Sequence, residues 1–140
     1  MSISDGDPGS QAPELDDCPI DYEIFDELRS LGDTSLLHEL VSTYRLEVGR
    51  LFRSLDQALD ATDVVMVASA AHAISGCSAS IGATSLSAAA KSIEHLARSG
   101  SLDGWEPLMA KARGDCDSAL RLLDIEVNNR TEPTWPSWLL

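Results

Sequence analysis

Apolar residues recur at three- and four-residue steps along the chain from about Pro19 to Val127, which is the period of amphipathic helices. A short first helix starts at Asp21 as cap, carries Ile24, Phe25, Leu28 and Leu31 as its stripe, and ends at Gly32. Thr34 is a good N-cap for the next helix. There Leu37, Leu40, Val41, Tyr44, Val48, Leu51, Leu55 and Leu59 form the longest amphipathic run of the sequence, and only Gly49 interrupts it. Ala61–Asp63 reads as a turn, with Thr62 or Asp63 capping a third helix that stops near Gly82. Thr84 or Ser85 opens a fourth, with Leu86, Ala89, Ala90, Ile93, Leu96 and Ala97 inward and Ser99-Gly100 closing it. Asp103 and Glu106 have the spacing of a capping box for a last helix. Its inner face is Trp105, Leu108, Met109, Ala112, Cys116, Ala119, Leu120, Leu123 and Val127. Four amphipathic helices joined by brief loops, with a short leading helix, predict an all-α antiparallel four-helix bundle over residues 19–128. No internal repeat is visible. Residues 1–18, rich in Ser, Asp, Gly and Pro, predict a disordered acidic tail. Residues 129–140 form a separate tail in which two prolines break the pattern and Trp135 and Trp138 stand out.

The third helix has a feature that the others lack. Wound at about 100° per residue, Asp63–Ile81 puts Val67, Ala70, Ile74, Cys77 and Ile81 on one side, with Val64, Met66 and Ala71 on its flanks. His72 falls nearly opposite. Around it lie Val65, Ala68, Ser69, Ser75, Gly76 and Ala79, almost all small, and the pattern predicts an open, solvent-facing patch centred on the imidazole. Gly76 costs about 1 kcal/mol of helix propensity relative to Ala, and its position leaves the ring without a tall neighbour.

Composition narrows the possibilities. Hydrophobic residues make up 44% of the chain and aromatic ones only 5%, which suits packed helices rather than a β-sandwich. A formal net charge of −13 excludes ready binding to nucleic acid or an anionic membrane. The longest apolar run, Val64–Ala68, is far shorter than the ~20 residues that span a bilayer. The first ten residues have neither the basic nor the apolar segment of a secretory signal. Cys18, Cys77 and Cys116 are widely spaced without a C-x-x-C pair, a pattern of free thiols in a reducing compartment. A cytoplasmic protein is expected.

From Ala71 to Glu94 the chain reads A-H-x-I-S-G-C-S-x-x-I-G-A-x-x-L-x-x-x-x-x-x-I-E. This resembles the signature of histidine-containing phosphotransfer (HPt) domains, AHxLKGxxxxxGAxxL ending near LE, with His72, Gly76, Gly82, Ala83, Leu86 and Glu94 in register. The resemblance implies a four-helix bundle in which His72 accepts a phosphoryl group from a receiver-domain aspartate and passes it to another, in a multistep phosphorelay. It implies partners among the receiver domains of response regulators or a hybrid sensor kinase. The chain would be a carrier, not an enzyme that turns over, with no cofactor of its own and Mg²⁺ supplied by the receiver. The alternative is a phosphate-independent helical module that binds a kinase or regulator.

The residues themselves are compatible with that chemistry. Free imidazole is largely neutral at cellular pH, so one ring nitrogen holds a lone pair able to attack phosphorus. The family's usual lysine three residues after the histidine is absent. Ser75, expected with Gly76 to border the phosphosite, offers only a hydroxyl, and a Ser75→Lys change on an open face would be expected to speed acceptance modestly. Val65, Ala68, Ser69 and Ala79 are the expected receiver-docking residues. His38 and His95 read as ordinary surface histidines. The Cys and His spacings fit no zinc site, and Ser78, Ser80 and Ser85 have no His/Asp spacing of a nucleophile.

Overall fold

The computed structural model describes residues 19–32 and 34–131. These form five helices and no strand: α1 (Tyr22–Ser30), α2 (Thr34–Asp60), α3 (Val64–Ile81), α4 (Thr84–Arg98) and α5 (Trp105–Thr131). Helix α2 packs on α3, α3 on α4, α4 on α5 and α5 back on α2, which closes the antiparallel four-helix bundle; α1 lies against α2 and α3. The expected acidic tail and the Trp-containing segment from residue 132 lie outside the described residues. Helix α5 itself runs to Thr131, past the expected end of the bundle at 128.

The core follows the stripes read from the sequence, except that Leu31, expected in the stripe of α1, caps that helix and is 73% exposed. Phe25, Leu37, Val48, Leu55, Val67, Ile74, Leu86, Ile93 and Leu123 are all fully buried within the core. Each such side chain contributes about 1.5–3 kcal/mol relative to exposure. A buried hydrogen bond of 2.7 Å joins the Tyr44 hydroxyl on α2 to Ser78 Oγ on α3, and burial pushes the Tyr44 phenol well above its ordinary range. Burial likewise pushes the Cys116 thiol up to about 11 and raises that of Cys77. Both cysteines are free and stay protonated near neutrality.

Helix α3 alone among the described helices is long and apolar enough to cross a membrane, with a mean hydropathy of 1.6. The run Val64–Ala68 understated this, because small residues extend the uncharged stretch to Ile81. Here that hydropathy serves packing: Val67, Ala71 and Ile74 are fully buried in the core that α3 shares with its neighbours.

Caps set the helix ends. Asp21 Oδ1 accepts from the Glu23 backbone N–H, and Asp63 Oδ1 accepts from that of Met66. Two expected caps shift. Thr84 is the first residue of α4 and Ala83 its N-cap, with no side-chain bond. Helix α5 starts at Trp105, after a left-handed Gly104 (φ 85°), one residue later than an Asp103/Glu106 box requires. Pro107 then occupies the first turn, where a missing N–H costs nothing.

Gly82 joins two parts of the fold. It ends α3 in the left-handed region (φ 88°), and its carbonyl accepts from the Asp21 N–H at 2.6 Å. A Cβ there would meet the Asp21 carbonyl oxygen at 3.0 Å and Ile24 Cβ at 3.4 Å. Gly82→Ala should therefore lower stability by about 1–2 kcal/mol, the cost of a left-handed L-residue, plus displacement of α1. Urea denaturation checks this, and an unchanged midpoint would contradict the close approach.

Candidate functional site

Helix α3 contains no Asp, Glu, Lys or Arg, so its exposed side is an uncharged strip on a strongly acidic protein. His72 lies in that strip with its side chain 72% exposed. Its Nδ1 sits 3.1 Å and 3.3 Å from the two carboxylate oxygens of Glu94 on α4. The Glu94 side chain is only 13% exposed, and Arg98, one turn further along α4, binds the same Oε2 through Nη2 at 2.7 Å and Nε at 2.8 Å. The hydrogen bonds from Arg98, with a smaller contribution from that of His72, hold the Glu94 carboxyl below the usual carboxylate range. At neutral pH it is ionised and can only accept. The ring proton therefore resides on Nδ1, and the lone pair is on Nε2. A largely buried carboxylate thus fixes the tautomer and orientation of an exposed imidazole, as the partner of a catalytic or metal-bound histidine does.

The patch around His72 is not symmetric. Ser69, Gly76, Ala79 and Val65 are exposed, as expected, and a Cβ on Gly76 would meet nothing within 4 Å. Ala68 and Ser75 are not. Ser75 is 4% exposed, with its Oγ 3.1 Å from Ser87 Oγ on α4, and Ser87 Oγ also donates to the Ser75 carbonyl at 3.0 Å. Ala68 is buried in the core. Both lie on the same flank of the helical wheel, about 40–60° to one side of His72, and that is the flank which α4 covers. Their side chains are small because another helix packs there, not because a partner must approach. Ser75→Lys would start its side chain inside the α3–α4 contact, so the acceleration expected of an open position loses its premise. Ala68 cannot present a docking surface and instead forms part of the wall of a groove.

That groove, an open volume of about 500 Å³, runs beside His72 between Val65 and Ala68 on α3 and Ala97 and Arg98 on α4, and extends to Gly100. The sequence motif holds Glu94 without giving it a role, and Arg98 lies outside the motif. The i, i+4 spacing of Glu94 and Arg98 was the available signal. His38 and His95 are exposed, as expected.

Residues 39–129 match the family model of the Hpt domain. No curated protein sequence matches the chain. Among solved structures, histidine-containing phosphotransfer protein B (HptB) from Pseudomonas aeruginosa PAO1 is similar with a TM-score of 0.74 and 25% identity. The match covers 79% of this chain and 96% of that one. A rice protein described as a histidine-containing phosphotransfer protein has a TM-score of 0.71 at 20% identity, over 89% of this chain and 93% of its own. MtHPt2, a histidine-containing phosphotransfer protein from Medicago truncatula, has a TM-score of 0.68 at 15% identity, over 89% and 92%. The last two, at such identities, speak to the fold alone. With its bundle, its ordered motif and a family match over more than half its length, the chain belongs to the Hpt domain family.

Proposed function

We propose that His72 is the residue on which this protein carries its phosphoryl group. The chain is a histidine phosphotransfer protein of phosphorelay signalling, and its family acts as a phosphotransfer intermediate with receiver domains. The observation that supports His72 is the pairing of an exposed ring with a largely buried carboxylate on Nδ1. His38 precedes the matched residues 39–129, and His95 stands on the exposed side of α4.

Nε2 attacks the phosphorus of an aspartyl phosphate on the partner. The N–P bond forms as the acyl O–P bond breaks, and that electron pair leaves with the aspartate carboxylate. The ring keeps its Nδ1 proton and becomes cationic, with Glu94 placed against the new charge. Reversal hands the phosphoryl group to another receiver carboxylate. A divalent cation assists phosphoryl transfer in general. Among the described residues no group of three His, Cys, Asp or Glu converges to hold one; in this reading the receiver supplies the metal. In this reading the chain is a cytoplasmic carrier that does not turn over by itself, and it meets the receiver domains of response regulators, of a hybrid sensor kinase, or of both.

The docking surface is the uncharged strip of Val65, Ser69, Gly76 and Ala79, with Met66 exposed beside it. A net charge of −13 gives long-range steering little part in meeting an acidic receiver, so contact there is apolar and close. Ala79→Glu should weaken receiver binding about ten-fold, on the order of one disfavoured interface charge, and leave the melting temperature within error. Ala68→Arg, in contrast, should destabilise the fold, because its wall position is buried. Calorimetric titration beside thermal melts separates the two, and equal binding by Ala79→Glu would remove this strip from the interface. For the function itself, the chain is incubated with a radiolabelled phospho-receiver and Mg²⁺. Acid-labile, base-stable label on the chain is expected. Label that stays on the receiver while the two proteins bind would favour a phosphate-independent module.

A further inference from the structure

We propose that Ser87 is a positioning residue for phosphoryl acceptance: its hydrogen bonds to Ser75 set the register of α4 on α3 that brings Glu94 to Nδ1 of His72. This rests on the reading of His72 as the acceptor. Ser75 and Ser87 are both buried, and they meet across the α3–α4 seam. The Ser87 hydroxyl donates to the Ser75 carbonyl at 3.0 Å. A hydroxyl has one proton to give, so the 3.1 Å contact between the two Oγ atoms takes its proton from Ser75. The pair is a closed clamp in which each hydroxyl donates once.

Directional bonds matter at this seam because the rest of it is smooth. Helix α3 has no charged side chain, and the two helices bury Ala68, Ala70, Ala71, Ala89, Ala90 and Ala97. Apolar burial is non-directional, whereas a hydrogen bond holds over a narrow range of distance and angle. The clamp and the site also share one line. Ser87 and Glu94 are two turns apart on α4, within about 20° on its wheel, and Ser75 is one turn beyond His72 on α3. The bonded pairs run in antiparallel order, His72 with Glu94 and Ser75 with Ser87. A slide or roll of α4 that opens the serine pair therefore carries the Glu94 carboxylate away from Nδ1. Arg98 cannot prevent this, since it stands on the same helix as Glu94 and moves with it. Serine at position 75, where the family has lysine, thus serves the seam behind the histidine.

The test uses the full chain as wild type, Ser75→Ala/Ser87→Ala, Ser87→Cys and Tyr44→Phe. Nitrogen NMR reads the ring tautomer of His72, and rapid quench with one phospho-receiver gives the rate of acceptance. Removing both hydroxyls leaves neither one buried without a partner, so helical content and melting temperature should stay close to wild type. The tautomer protonated at Nδ1 should lose population, and acceptance should slow about two- to ten-fold, the scale of one buried hydrogen bond. Ser87→Cys, nearly the same size with a weaker donor, should move both in the same direction, and it decides the matter if the double variant does not fold. Tyr44→Phe removes a buried hydrogen bond from the α2 side of α3 and should lower stability without moving the tautomer. In a Glu94→Gln background the serine changes should slow acceptance little further, because the clamp acts through Glu94. Equal slowing in both backgrounds, an unchanged tautomer, or an equal tautomer change in Tyr44→Phe overturns the proposal. His72→Gln is run alongside: label surviving on that variant defeats the assignment of His72, and this proposal with it, whereas label lost there with the serine variants matching wild type defeats this proposal alone.

Discussion

His72→Gln should abolish all acid-labile phosphate on the chain while its helical content and melting temperature stay close to wild type. The side chain is 72% exposed, and Glu94 keeps its bonds to Arg98 when the ring is gone. Surface substitutions of this kind change stability by about 0.5 kcal/mol or less. Glutamine has no lone-pair nitrogen able to form the N–P bond, so the loss of transfer should be complete rather than partial. Circular dichroism and a labelling assay with one phospho-receiver check both halves. Residual label of the wild-type kind would place the phosphosite elsewhere.

Glu94→Gln should slow phosphoryl acceptance about ten- to a hundred-fold, the usual cost of removing a group that orients a functional histidine. The amide is nearly isosteric, but it presents a donor as well as an acceptor and carries no charge. If its NH₂ faces the ring, Nδ1 must accept and the proton moves to Nε2, which then has no lone pair for phosphorus. If its oxygen faces the ring, the tautomer survives but the cation formed on attack has lost its counter-charge. Receiver affinity should hold, because Glu94 sits behind the imidazole and is only 13% exposed. Nitrogen NMR of the ring reports the tautomer directly, so a structural disturbance cannot imitate the result. An acceptance rate equal to wild type would mean that Glu94 has no positioning role.

The same carboxylate gives the site a defined acid limit. Its folded-state value is depressed, chiefly by the hydrogen bonds from Arg98. Its contribution to stability is therefore fully present above the ordinary glutamate value of about 4.3. It is lost as pH falls from there through the lower folded value. The anchor on Nδ1 is intact throughout the neutral range.

The sequence made the bundle legible because each helix has an apolar stripe of the right period, and all of Leu37, Val48, Leu55, Ile74, Leu86, Ile93 and Leu123 lie where their stripes put them. His72 was legible for the same reason, as the residue opposite the stripe of α3. What a single helical wheel cannot give is the neighbour that covers each flank. Small residues such as Ala68 and Ser75 suit both an open docking surface and a tight helix crossing, and the wheel does not distinguish them. Glu94 and Arg98 had no role until α4 was laid along that flank, which brings both to the His72 side. Caps were less legible than stripes. Thr84 and Asp103 have the chemistry of N-caps, yet the left-handed Gly82 and Gly104 set where the two helices begin.

We propose that Glu94 holds Nδ1 so that Nε2 receives the phosphorus. Nitrogen–phosphorus correlation NMR on the uniformly nitrogen-labelled, phosphorylated chain tests it most directly, because the coupling identifies the bonded ring nitrogen. An N–P bond at Nε2 of His72 is expected, with the Nδ1 signal shifted by its bond to Glu94. A bond at Nδ1, the nitrogen that the carboxylate occupies, would contradict it.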